Sequence, residues 1–112
     1  MKETTEADWN PGYLLEVWWH FIEGCEEGYQ WDYGEYLNEI DVRDTIHCYR
    51  KKYFNKDFEE ELLELDNRFR ALLIPNEEIK KFDTWWKKGV LKFAGDNYAH
   101  TMKCAGFDVE LK

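Results

Sequence analysis

Serine is absent from this 112-residue chain, which removes the commonest hydroxyl nucleophile. A glycine-rich phosphate loop, a nucleophile elbow and an HExxH helix are missing as well. No stretch approaches the roughly 20 apolar residues that a membrane span requires. The opening MKETTEADW lacks the apolar run of a secretory signal, so a cytoplasmic protein is expected. Cysteine is scarce, and Cys25, Cys48 and Cys104 cannot all pair within one chain; reduced thiols are expected. Cations are few, 15 Lys and Arg against 24 Asp and Glu, for a formal net charge of −9 and a pI near 4.8. Such a balance disfavours direct nucleic-acid binding, which needs cations to replace phosphate counterions, and it disfavours docking on an anionic membrane.

Metal chemistry finds little support. His47 and Cys48 are adjacent and His100 and Cys104 stand at i, i+4, so one pair alone has workable ligand spacing. No metal and no cofactor are expected. Glu16, His20 and Glu23 share one helix face and could form an acid–base pair. A surface histidine beside carboxylates is more often a solvated pair, and no catalytic residue is assigned.

What the chain has in abundance is rings. Aromatics make up 18% of the residues, with six Trp, seven Tyr and seven Phe, and apolar residues 44%. A single domain of this length buries about two-thirds of its unfolded surface. Residues 1–9 are polar and read as a flexible segment, with Trp9 pinning its end; residues 10–112 read as one helical domain.

Asn10-Pro11 reads as an N-cap followed by proline at the first helical position. The helix it opens is apolar almost all round, with Glu16, His20 and Glu23 as its polar stripe and Gly24 as its stop. Residues 25–32 then read as a loop. A short helix from Asp32 or Tyr33 carries Tyr36, Leu37 and Ile40 inward. Asp41 caps the next, whose stripe is Val42, Ile46, Tyr49 and Tyr53, with Arg50, Lys51 and Lys52 at its end. Asp57 opens the clearest amphipathic helix, on Phe58, Leu62, Leu65, Phe69 and Leu72, widened by Leu63 and Leu73. Glu64–Arg68 and Asp66–Arg70 are its i, i+4 pairs.

Pro75 ends that helix, and Asn76 caps another that runs to Gly89, with Ile79, Phe82 and Trp86 inward. Residues 90–95 fit a helical turn or an extended piece equally well. Asp96 caps a last helix before the tail GFDVELK. In the pairs Trp18-Trp19 and Trp85-Trp86, one ring of each is expected in the core. Nothing alternates with period two for long, so the expected fold is all-α, a compact bundle of five to six helices with short loops.

Charge comes in blocks. Residues 45–56 are positive, 57–66 negative and 67–92 positive, much of it acids at helix starts and bases at helix ends. The stretch 23–44 differs. It holds Glu23, Glu26, Glu27, Asp32, Glu35, Glu39, Asp41 and Asp44 against the single cation Arg43. Glu26 and Glu27 lie near a helix C-terminus, where the dipole disfavours them. Tyr29, Trp31, Tyr33 and Tyr36 are interleaved with these acids. Rigid rings with polar tips among anions suit the gripping of a basic protein, the charge steering the encounter. The candidate binding residues are Glu23, Glu26, Glu27, Tyr29, Trp31, Asp32, Tyr33, Glu35 and Glu39.

Two segments, EYLNEIDVRD (35–44) and LDNRFRALL (65–73), resemble small acidic helical immunity proteins of bacterial polymorphic toxin and contact-dependent growth inhibition systems. The two segments together span 19 of the 112 residues. It implies a cytosolic antitoxin that binds the C-terminal domain of one cognate toxin, very often a nuclease, an RNase ahead of a DNase. Such families diverge most at their interfaces, so no binding residue carries over. Within EYLNEIDVRD, Leu37, Ile40 and Val42 read as structural and Arg43 as internally paired. A basic nuclease cleft plugged by carboxylates and sealed by aromatic anchors would need no chemistry from the inhibitor. Two other classes compete: an acidic nucleic-acid mimic that blocks a DNA-binding or CRISPR-type effector, and a small enzyme using Glu16 and His20. The expected partner is therefore a basic toxin domain, not nucleic acid or a membrane, and nothing in the sequence indicates a homo-oligomer.

Overall fold

The computed structural model describes residues 10–76, 78, 82 and 84–112. The readings made for residues 1–9, Trp9 included, and for Glu77 and Ile79 lie outside the described residues. Among these residues the fold is predominantly helical: α1 Pro11–Glu26, α2 Tyr33–Glu39, α3 Asp41–Lys52, α4 Lys56–Arg70, the single turn α5 Trp85–Lys88, and α6 Asp96–Cys104. Two short strands, β1 Phe93–Ala94 and β2 Glu110–Leu111, depart from the all-α expectation. They pair in parallel, Phe93 opposite Glu110 and Ala94 opposite Leu111, and Leu73 bridges Leu91 antiparallel. β1 falls within residues 90–95, where an extended piece is one of the two readings, whereas β2 in the tail goes unread because a run of two residues cannot display a period of two.

The central element is α1, which packs against both α3 and α4. The Asn10 side chain accepts from the Tyr13 N–H at 3.1 Å, as Asn10-Pro11 predicts. Leu14, Leu15, Trp18, Phe21, Ile22 and Cys25 are buried along it. The helix runs through Gly24 instead of stopping there, because Cys25 one residue on is drawn fully into the core. The chain turns at Gly28, whose φ of +102° is one that residues with a Cβ rarely adopt.

Asp32 caps α2 by accepting from the Glu35 N–H at 2.8 Å. Ile40 is helical in its own φ/ψ, so α2 and α3 run on almost without a break and Asp41 makes no side-chain cap. For α4 the cap is Asn55, not Asp57; its side chain accepts from Phe58 N–H at 3.2 Å. Leu63 is 57% exposed, and Leu37 and Tyr53 are exposed too, outside the stripes predicted for them. Phe82, expected inward, is 49% exposed. Both Trp85 and Trp86 are buried, against an expectation of one. On a single turn they diverge: Trp85 packs on Phe69 while Trp86 lies beside His47.

The predicted pairs Glu64–Arg68 and Asp66–Arg70 are replaced by partners from other helices. Arg68 binds Glu26 of α1 at 2.5 Å, and Arg70 stacks over Trp85 at 4.1 Å. Asp66 is buried. It accepts from Trp18 Nε1 at 3.1 Å and from Arg43 Nε at 3.0 Å and Nη2 at 2.8 Å. Arg43 lies 4.2 Å over the Trp86 ring, and Trp86 Nε1 donates to Asp44 at 2.7 Å. One network thus joins α1, α3, α4 and α5.

A second cluster is made of rings. Tyr36 is fully buried and meets Tyr98 at 4.9 Å, Tyr29 at 5.5 Å and Phe21 at 5.5 Å between centroids. Among the described residues its hydroxyl has no partner of good hydrogen-bond geometry, although the Tyr98 side chain interacts with it. A buried polar group left unsatisfied costs about 1–3 kcal/mol. Tyr36→Phe is therefore expected to leave stability unchanged or raise it by about 1 kcal/mol, read from urea unfolding midpoints. A loss above about 1 kcal/mol would mean that the hydroxyl is bonded in solution.

Candidate functional site

The loop between α1 and α2 is held from beneath. The Gly95 N–H donates to the Tyr29 carbonyl at 2.7 Å, and a Cβ at Gly95 would stand 2.8 Å from that same oxygen. Gln30 Nε2 reaches the Gly28 carbonyl at 2.6 Å, and Lys112 Nζ reaches the Glu26 carbonyl at 2.6 Å. So anchored, the loop forms one wall of a groove of about 660 Å³. Val17, His20, Phe21 and Gly24 of α1 face it, with Glu27 to Trp31 of the loop, Glu39 of α2 and Val42 of α3. No lysine or arginine is among the described residues that line it.

The nine predicted binding residues divide. Glu27, Tyr29, Trp31 and Glu39 line the groove together. Trp31 is the open ring, 61% exposed. Glu27 is exposed, and no salt bridge to it occurs among the described residues. Glu23 is half-buried, with His20 Nδ1 3.9 Å from its carboxylate. Glu35 is exposed on α2, and Asp32 lines a different hollow, beside Asp96 and His100 of α6.

Three assignments need correction. Tyr29 is not a surface anchor: it is 3% exposed, its ring packs against Phe21 and Tyr36, and its hydroxyl donates to Glu39 Oε2 at 2.6 Å. Tyr33 is half-buried, stacked on Tyr36 and edge-on to Tyr98. Glu26 is neutralised by Arg68 and adds little to an open field. The sequence reading also passed over His20, Val17, Phe21 and Val42 as groove residues. His20 alone carried a signal, as the polar residue facing outward from an apolar helix.

No family model matches the chain. No curated protein and no solved structure matches it either.

Burial beneath the groove changes its acid–base chemistry. Burial pushes the Cys25 thiol far above its ordinary range, and the nearby Glu39 and Glu26 carboxylates push the same way. Burial, then the bond to Glu39, does the same to Tyr29. Tyr36 and Tyr98 are raised mainly by burial. In the unfolded chain these groups lose their protons at roughly pH 8.5–10, whereas in the fold they keep them. The stabilisation is complete below that range. It is lost as pH climbs toward the folded values, because the unfolded chain then binds fewer protons. Urea midpoints are therefore expected to hold from pH 7 to about 8.5 and then fall steadily to pH 11. A flat profile would place these side chains in water.

Elsewhere, Cys104 Sγ lies 3.8 Å from His100 Nε2 on the exposed face of α6. Among the described residues, no group of three His, Cys, Asp or Glu side chains could hold a metal ion. Glu16 and His20 approach to 3.7 Å with both side chains largely exposed. Glu16 borders a separate hollow between α1 and α4 and does not enter the groove. No helix among the described residues is long and apolar enough to cross a membrane.

Proposed function

We propose that this chain is a non-catalytic binding protein that neutralises a basic protein domain, in the manner of an immunity protein directed at a nuclease toxin. The groove between α1 and the α1–α2 loop docks on the toxin's cationic substrate cleft and occludes it. The supporting observation is one juxtaposition: Trp31, 61% exposed, lines a groove with the carboxylates Glu27 and Glu39 and with no cation among its described residues. Aromatic anchors of this kind dominate interface energies once a partner covers them. The net charge of −9 raises the association rate with a cationic partner.

The test is to co-express the chain with any basic, nuclease-like domain encoded by a gene flanking its own. The expected result is rescue of growth, a one-to-one complex on gel filtration, and loss of RNA or DNA cleavage on adding the purified chain. A neighbouring nuclease that cleaves undiminished in the presence of excess chain would overturn the reading.

A further inference from the structure

The groove combines two chemistries. Val17, Phe21 and Val42 supply apolar wall, while Glu27 and Glu39 bring negative charge and Trp31 an open ring. A purely apolar plug would strip water from two carboxylates and give them no partner, which is costly. A bare metal ion would need a fuller shell of oxygen ligands than these two acids provide. A planar guanidinium on an aliphatic stem meets all three demands at once. The stem lies along the valines and Phe21, the plane stacks on indole, and its N–H groups reach carboxylate oxygens. The Tyr29 hydroxyl already holds Glu39 by Oε2 at 2.6 Å, which fixes that carboxylate and leaves Oε1 to accept from a ligand.

Resting on the reading of a basic protein partner, we infer that the groove is a receptor for an arginine side chain carried on a loop of that partner. Glu27 and Glu39 grip the guanidinium and Trp31 stacks on it. The groove, at about 660 Å³, takes the arginine together with a flanking residue, so the inserted element is a loop tip.

The experiment uses the full chain, labelled with ¹⁵N and titrated with acetyl-Gly-Arg-Gly-amide and with its lysine and citrulline counterparts. The signals read are the Trp31 indole N–H and the amides of Gly28 and Gln30. The arginine peptide is expected to shift all three saturably, the lysine peptide to bind about threefold more weakly, and neutral citrulline about tenfold more weakly. Glu39→Gln keeps an oxygen acceptor for Tyr29, so the fold is retained; it and Glu27→Gln should each weaken the arginine peptide about fivefold. Equal binding of the arginine and citrulline peptides overturns the inference. So do shifts confined to the α4 acids Glu60, Glu61 and Glu64. Arginine binding here without neutralisation of any basic nuclease would sustain the receptor and remove the immunity reading. A nuclease neutralised equally by the wild type and by the doubly substituted chain, with Trp31 unmoved by the arginine peptide, would do the reverse.

Discussion

Asp66→Ala is expected to destabilise the fold by about 3–5 kcal/mol, the largest effect of any single substitution considered. Among the described residues Asp66 is the one carboxylate paired with Arg43, and both side chains are buried. Removing it leaves a guanidinium in the core without its counter-charge and strips Trp18 Nε1 of its acceptor. Among the described residues the Arg43 Nη1 atom already lacks a partner, so these residues offer the guanidinium no spare acceptor. A small domain has about 5–15 kcal/mol in total, so the variant should melt near physiological temperature or fail to accumulate. Replacing the pair together, Arg43→Met with Asp66→Leu, should recover much of the loss, since apolar isosteres often match a buried ion pair. The remaining deficit should be the unpaired Trp18 donor, about 1–3 kcal/mol. Urea denaturation of Arg43→Met, Asp66→Leu and the double gives the coupling directly. A cost below about 1 kcal/mol for Asp66→Ala would mean that Arg43 escapes to water.

Trp31→Ala is expected to act on the complex and leave the free protein intact. The ring is largely in water, so stability should change by no more than about 0.5 kcal/mol. In the complex it is the exposed ring of the groove. Losing it should cost about 2 kcal/mol or more, a rise in koff of about 30-fold. Glu27→Gln should leave koff nearly alone, lower kon, and flatten its dependence on salt. Glu26→Gln separates the two acids: its charge is spent on Arg68, whose own pKa is raised chiefly by that hydrogen bond. It should therefore change kon less than Glu27→Gln does. Stopped-flow association and dissociation over a salt series check all three. Identical effects of Trp31→Ala and Glu27→Gln on kon alone would dissolve this division of roles.

How much of this was legible in the residues depends on how far apart the cause and the effect lie along the chain. The Asn10 cap, the start of α2 at Asp32 or Tyr33, and Phe58, Leu62 and Phe69 on the buried side of α4 rest on neighbours three or four positions away and were read correctly; Leu63 of the same helix was not. The pairing of Asp66 was not, because its partner is 23 positions away and Arg70, at i+4, offered a local alternative. Gly24 reads as a helix stop by propensity, yet nothing stands within 4 Å of where its Cβ would be, and the burial of Cys25 carries the helix past it. Within the candidate stretch, exposure could be foreseen for Trp31 but not denied to Tyr29. What buries Tyr29 is a set of rings, Phe21, Tyr36 and Tyr98, drawn from three helices, together with a carboxylate ten residues on. Loop position alone carried no trace of that company.

Amide hydrogen exchange on the chain alone and in complex with its basic partner measures where contact occurs. Protection should rise across residues 27–32 and on the His20–Gly24 turn of α1, with Lys51 to Glu60 unchanged. Protection confined to the α3–α4 end, with residues 27–32 exchanging as fast in the complex as without it, would contradict the groove as the binding surface.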